Sequence, residues 1–324
     1  MLAARRRIAR NGKKFINSPL LVPSFSSKGF DQVKKIITTA EECITDCALV
    51  SAYDIHHKLI ETPIHFPEVI FIDSGGYECG KDIEFSDLGY TVHEPKEWNP
   101  DLHSSVLDAW PQTVPAVLVS YDHPNERLKV EDQIARAQAL FHGREHIARE
   151  LLVKPETGMQ SYIQINNVIK NIHALAGFEV IGFTEKELGN SVLKRMIAIA
   201  KIRAALHESG IDIPIHIFGS LDTISTPLYF LAGADIFDGL TWLRFAFMDG
   251  FTTYIHNFAA LHLGVKTKDG LASAQVLFRN YYYMKDLELQ MHAYLNAREF
   301  KSFSHHSEFF EKTFQAMQSE LKED

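Results

Sequence analysis

Cysteine is scarce in this sequence: three in 324 residues, at Cys43, Cys47 and Cys79. That excludes a disulfide framework and a four-cysteine zinc site, and it makes a reducing cytoplasm the natural setting. No apolar run approaches the roughly 20 residues of a membrane-spanning helix, so no membrane contact is expected. The longest runs, such as Val114 to Val119, have strand length. Positive charge is in deficit, with 33 Lys and Arg against 41 Asp and Glu, a formal net charge of −8. A protein that coats nucleic acid by bulk charge is therefore excluded, although a local basic patch is not. No Pro/Gly/Ser-rich linker, low-complexity segment or internal repeat divides the chain, which favours one domain. Neither a Gly-x-Gly-x-x-Gly after the first strand nor a Gly-Lys-Ser/Thr phosphate loop occurs, so nothing points to a dinucleotide or nucleotide triphosphate.

What is present is alternation. Short β-branched or apolar runs predict eight strands, at Leu20–Pro23, Ala48–Ser51, Val69–Ile72, Ala116–Tyr121, Leu151–Lys154, Glu179–Gly182, Ile215–Phe218 and Asp235–Phe237. Stretches of helical period separate them; Ile134, Ala137 and Leu140 fall on one face of such a stretch. Eight strand–helix units predict an α/β fold closed as a (β/α)8 TIM barrel, over residues 18–271. Residues 272–324 have a helical pattern and form a C-terminal helical extension, with Tyr281-Tyr282-Tyr283 and Phe309-Phe310 packing on the barrel or on a partner subunit. Residues 1–17 form a basic N-terminal arm carrying Arg5, Arg6, Arg7, Arg10, Lys13 and Lys14. It reads as an arm or hairpin at the domain edge rather than a cleaved leader, and as either a solvated segment or a phosphate contact.

In a parallel barrel all strands end at one rim, and the loops there carry the chemistry. The third predicted strand leads into Asp73-Ser74-Gly75-Gly76-Tyr77, the fourth into Asp122-His123, the fifth into Lys154-Pro155-Glu156, and the eighth into Asp238-Gly239. An aspartate before glycine caps turns as readily as it does chemistry. Three at one rim would raise at least one pKa, leaving one carboxyl protonated and another ionised. The glycines would let a flat ligand approach the backbone, and Tyr77 and Phe218 would either clamp a ring or serve as core aromatics.

These residues resemble the tRNA-guanine transglycosylases, enzymes that exchange a guanine for a 7-deazaguanine in an intact nucleic acid. Ile72-Asp73-Ser74-Gly75-Gly76-Tyr77 is similar to the family's Asp-Ser-Gly-Gly-Phe/Tyr motif. Gly233-Ala234-Asp235-Ile236-Phe237-Asp238, followed by Arg244, is similar to its Gly-x-Asp-x-Phe-Asp segment. The resemblance covers residues 18–260 at weak overall similarity. It implies Asp238 as nucleophile and Asp73 as general acid/base, with Asp122, Ser74 and the Gly182 backbone binding the base and Tyr77 and Phe218 stacking on it. Lys154 stands where the family has a base-binding Gln and would donate to a base carbonyl as a charge. Arg244, with Arg6 and Arg7 of the arm, would hold backbone phosphates.

The bacterial tRNA enzymes also carry a cysteine and histidine zinc site after the nucleophile. No cysteine follows Cys79 here, and His256, His262 and His292 lack a ligand spacing, so no metal is expected. The zinc-free pattern and the absence of a separate RNA-binding domain look more like the branch that modifies DNA. The implied partners are DNA, or else tRNA, and a free 7-deazaguanine base such as preQ0, with room for partner proteins of a DNA-modification system. The implied chemistry needs no cofactor. Rival readings are the same reaction on tRNA, a non-catalytic nucleic-acid-binding subunit, and a barrel acting on a small phosphorylated metabolite.

Overall fold

The computed structural model describes residues 2–10, 13–80, 93–111, 113–123, 126–144 and 147–323. Twelve strands are present among them. The first two, β1 (Arg7–Arg10) and β2 (Lys13–Asn17), pair antiparallel as a hairpin. Eight parallel strands follow: β3 (Leu20–Phe25), β4 (Cys47–Ser51), β5 (Val69–Asp73), β6 (Ala116–Val119), β7 (Ala148–Val153), β8 (Val180–Thr184), β9 (Ile215–Phe218) and β10 (Ile236–Gly239). They run in sequential order, and β10 closes on β3, so the predicted (β/α)8 barrel is the fold. A second hairpin, β11 (Phe245–Met248) with β12 (Phe251–Tyr254), was not expected from the sequence.

Two apolar cores follow from period-two alternation in strands that are covered on both faces. Leu20, Val22, Leu49, Val69, Phe71, Val117, Val180 and Ile236 fill the barrel interior. Their neighbours Leu21, Val50, Ile70, Leu118, Ile181 and Phe237 pack outward against the helices. The N-terminal hairpin plugs the end of the barrel where the strands begin. Its Ile8 is fully buried in the interior core, with Phe15 and Ile16 packed beside it. The arm is thus the hairpin its sequence allowed, although the side chains of Lys13 and Lys14 lie outside the described residues.

The C-terminal extension consists of two helices, Asp269–Ala297 and Ser307–Glu323, the first starting three residues before the expected boundary. Asn280 fastens it to the barrel: its amide donates to the carbonyls of Trp242 and Phe245 at 2.6 Å each and accepts from Phe247 N. Tyr281 is buried and donates to Asp46, whereas Tyr282 is exposed; Phe310 is buried and Phe309 exposed. Among the described residues no helix is long and apolar enough to cross a membrane.

Candidate active site

Alternation decides which rim residues face inward. Val69 and Phe71 of β5 point into the barrel, so Asp73 two residues on does as well; the same step leads from Ile236 to Asp238 in β10. Asp238 is buried at 6% exposure, and both of its oxygens have donors. Oδ2 accepts from Ser24 Oγ at 2.8 Å and Oδ1 from Gly219 N at 3.1 Å. Gly239 N donates to the same Ser24 oxygen at 3.1 Å, which leaves the hydroxyl proton for Asp238.

Asp73 stands among other acids. Burial pushes its pKa up to about 8, and Glu78, Asp238 and Asp122 add to the rise; the Ser74 amide works against it. It therefore keeps a proton at neutral pH. Behind it a buried acidic pair continues the crowding. Glu78 is raised to about 7 by burial and by Asp54, in spite of its 2.5 Å bond from Ser26 Oγ. Asp54 is raised to about 6 by burial, although Ser27 donates to it from both hydroxyl and amide.

The motif glycines serve the fold of the site. Gly75 has φ +84°, and a Cβ there would meet Tyr53 and Trp98 Nε1 at 2.7 and 2.8 Å. A Cβ on Gly76 would meet Asp122 Oδ2 at 2.8 Å, so this glycine admits the Asp122 carboxylate rather than a flat ligand. Ser74 is buried; its carbonyl accepts from Trp98 Nε1 and its hydroxyl from Gly76 N.

Asp122 and Lys154 meet at the rim, 3.2 Å apart, and Arg127 holds the other Asp122 oxygen at 3.2 Å. Lys154 Nζ also lies 2.8 Å from Glu187 and donates to Thr184 Oγ1 at 3.1 Å. A cavity of about 420 Å³ opens beside them, walled in part by Tyr121, Asp122, Arg127 and Lys154. Asp73 and Asp238 are not among its walls.

The Phe218 ring turns into the barrel and stacks on His216, with centroids 4.0 Å apart and planes at 26°. A Cβ on Gly182 would meet Phe218 at 2.5 Å and Glu150 Oε1 at 2.6 Å, so its missing side chain makes room for those two groups. Tyr77 receives a hydrogen bond from Arg244 Nη2 at 2.9 Å and lies under Lys28 Nζ, 4.4 Å from its ring centroid. Arg244, expected to hold a backbone phosphate, is 9% exposed and turned to Tyr77. Arg6 is buried at the opposite end between Asp212 and Asp235, and so cannot reach a nucleic acid at the rim. Arg7 is exposed on the hairpin at that same far end.

Two residues with no expected role join the site from below. Glu150 Oε1 lies 2.8 Å from His216 Nδ1, and His216 Nε2 lies 3.3 Å from Asp238 Oδ1. The predicted fifth strand starts at Leu151, which leaves Glu150 outside it; the strand in fact starts at Ala148 and turns Glu150 inward with Leu152. His216 carried a usable signal, since it shares the face of Phe218 in an otherwise apolar strand.

Among the described residues no three His, Cys, Asp or Glu side chains gather to hold a metal ion. His256 lies on the surface 3.6 Å from Asp269, and His262 packs on Phe258. The fold and the rim thus define a (β/α)8 barrel with a protonated and a hydrogen-bonded aspartate at one mouth. No protein-family model matches the sequence, and no curated protein matches it either.

Proposed function

We propose that this chain is a pentosyltransferase that exchanges a guanine in DNA for a 7-deazaguanine base. The observation that carries the reading is the unequal pair at the rim: Asp73 is held protonated, while Asp238 receives donors on both oxygens. Pairs of carboxyls driven apart in this way divide acid and nucleophile roles between them.

In this reading the target nucleotide is flipped out of its stack into the barrel mouth. A carboxylate oxygen of Asp238 attacks C1′ as the bond to guanine N9 breaks, and the Asp73 proton passes to the departing base. The product is a glycosyl ester on Asp238. Asp73, now a carboxylate, takes the N9 proton of the incoming 7-deazaguanine, whose nitrogen attacks C1′ and releases Asp238. Protons balance over the cycle, and no cofactor enters it. In this reading Asp122 and Lys154, which pair at 3.2 Å, contact the edge of the base, and Tyr77, which accepts a hydrogen bond from Arg244, stacks on its face.

The test is covalent trapping. Wild-type protein incubated with guanine-containing DNA forms an adduct that survives denaturing gels, and Asp238→Ala abolishes it. An undiminished adduct in that variant removes Asp238 from the role. Mass spectrometry of nucleosides from DNA and from tRNA, treated with protein and preQ0, reports which polymer gains the modified base.

A further inference from the structure

We propose that His216 and Glu150 are positioning residues that hold Asp238 as a charged, fixed nucleophile from beneath the barrel mouth. The inference rests on the reading of Asp238 given above and goes beyond it, because neither residue touches a substrate in that scheme.

Three inward-facing side chains on three strands carry the argument. Glu150 on β7, His216 on β9 and Asp238 on β10 form a line through the barrel interior, with separations of 2.8 and 3.3 Å. The histidine and glutamate side chains have no exposed surface, and that of Asp238 has 8%. Around them the walls are apolar: the Phe71 ring is tilted 69° to the imidazole with centroids 5.6 Å apart, and Phe218 stacks on it with centroids 4.0 Å apart. Gly182 on β8, with no Cβ, leaves the space that Phe218 and Glu150 occupy. A histidine needed only for packing would not be served by two buried carboxylates, which are costly unless a cation sits between them.

The charged groups facing this line come from each side. Burial opposes a charge on His216, but Glu150 and Asp238 together raise its pKa to about 9. Burial pushes Glu150 upward, Asp238 adds to the rise, and the His216 ring opposes both. Asp238 faces His216, the Ser24 hydroxyl, the Gly219 amide and, across the mouth, the charge-coupled Asp73. The Asp238 carboxylate thus lies between the His216 ring on one side and Asp73, whose proton is held by burial, on the other. The alignment with Glu150 also fixes which way the ring points, as second carboxylates do for catalytic histidines.

Two measurements test this. In wild-type protein, ¹⁵N spectra of the imidazoles should show one ring still protonated on both nitrogens at pH 8. That signal should vanish in His216→Gln and lose its second proton below pH 7 in Glu150→Gln. In the trapping assay, Glu150→Gln should move the acid limb of the pH profile of adduct formation upward by about one unit, a slowing of about tenfold on that limb, leaving KM for DNA unchanged. His216→Gln, which keeps a neutral donor, should behave similarly. A His216 ring that is neutral at pH 7 in the wild type overturns the proposal even if neither variant folds. An adduct that needs Asp238 but has the same pH profile in Glu150→Gln overturns the proposal alone. Absence of any wild-type adduct overturns the exchange reading, and the proposal with it.

Discussion

The two ends of the barrel both bury acidic side chains, and they do so by opposite means. At the closed end each carboxylate is matched by guanidinium groups. Asp235, 1% exposed, accepts from Arg6 at 2.9 Å and Arg203 at 2.5 Å, and further from Ser18 Oγ and Ile215 N. Glu179 is held by Arg10 at 2.6 Å and Arg149 at 3.1 Å. At the open end Asp73, Glu78 and Asp54 are offered mainly hydroxyls, amides and one another, and all three are raised. A buried acid that is fully matched by cations contributes architecture. One left crowded keeps its proton and so remains available for proton transfer.

The sharpest way to break this contrast is at the closed end. Asp235→Ala strands two buried guanidinium groups and should cost roughly 3–5 kcal/mol, read as a large fall in the denaturation midpoint. At the open end the sign should reverse. The folded state holds protons on Asp73, Glu78 and Asp54 that the unfolded chain has already released above its ordinary carboxyl range. Stability should therefore fall as pH rises from about 4 to about 8. Asp73→Asn should remove the upper part of that fall and stabilise the protein at pH 8 by roughly 2 kcal/mol, since the carboxyl is partly open to water, while abolishing base exchange. Melting curves from pH 5 to 9 check both statements; a variant less stable than wild type at pH 8 contradicts them. The smallest effect belongs to Arg7→Ala. Exposed at the far end, it should change DNA affinity and its salt dependence by less than roughly twofold in a binding titration.

Much of the barrel was legible because most of its strands are apolar on both faces and bounded by polar turns. Every predicted strand overlaps an observed one, and the errors are at the ends, where tertiary pairing overrides local pattern. Those small errors matter most at the site. Starting the fifth strand at Leu151 hid Glu150, and ending the eighth at Phe237 left Asp238 on a loop when it lies within β10 and is fixed by strand pairing to Val22. The hairpin Phe245–Tyr254 escaped notice because its exposed strand, Phe251–Tyr254, does not alternate in burial.

By itself the sequence determined the alternation of strand and helix, the closure that eight such units require, and the acids at one rim, because these follow from periodicity and strand direction alone. Only the tertiary structure decided which charges neutralise one another. Arg6 meets Asp235 across 229 residues, and Glu150 meets His216 across 66. Pairings over such separations are set by barrel closure and register, and no local pattern of residues records them.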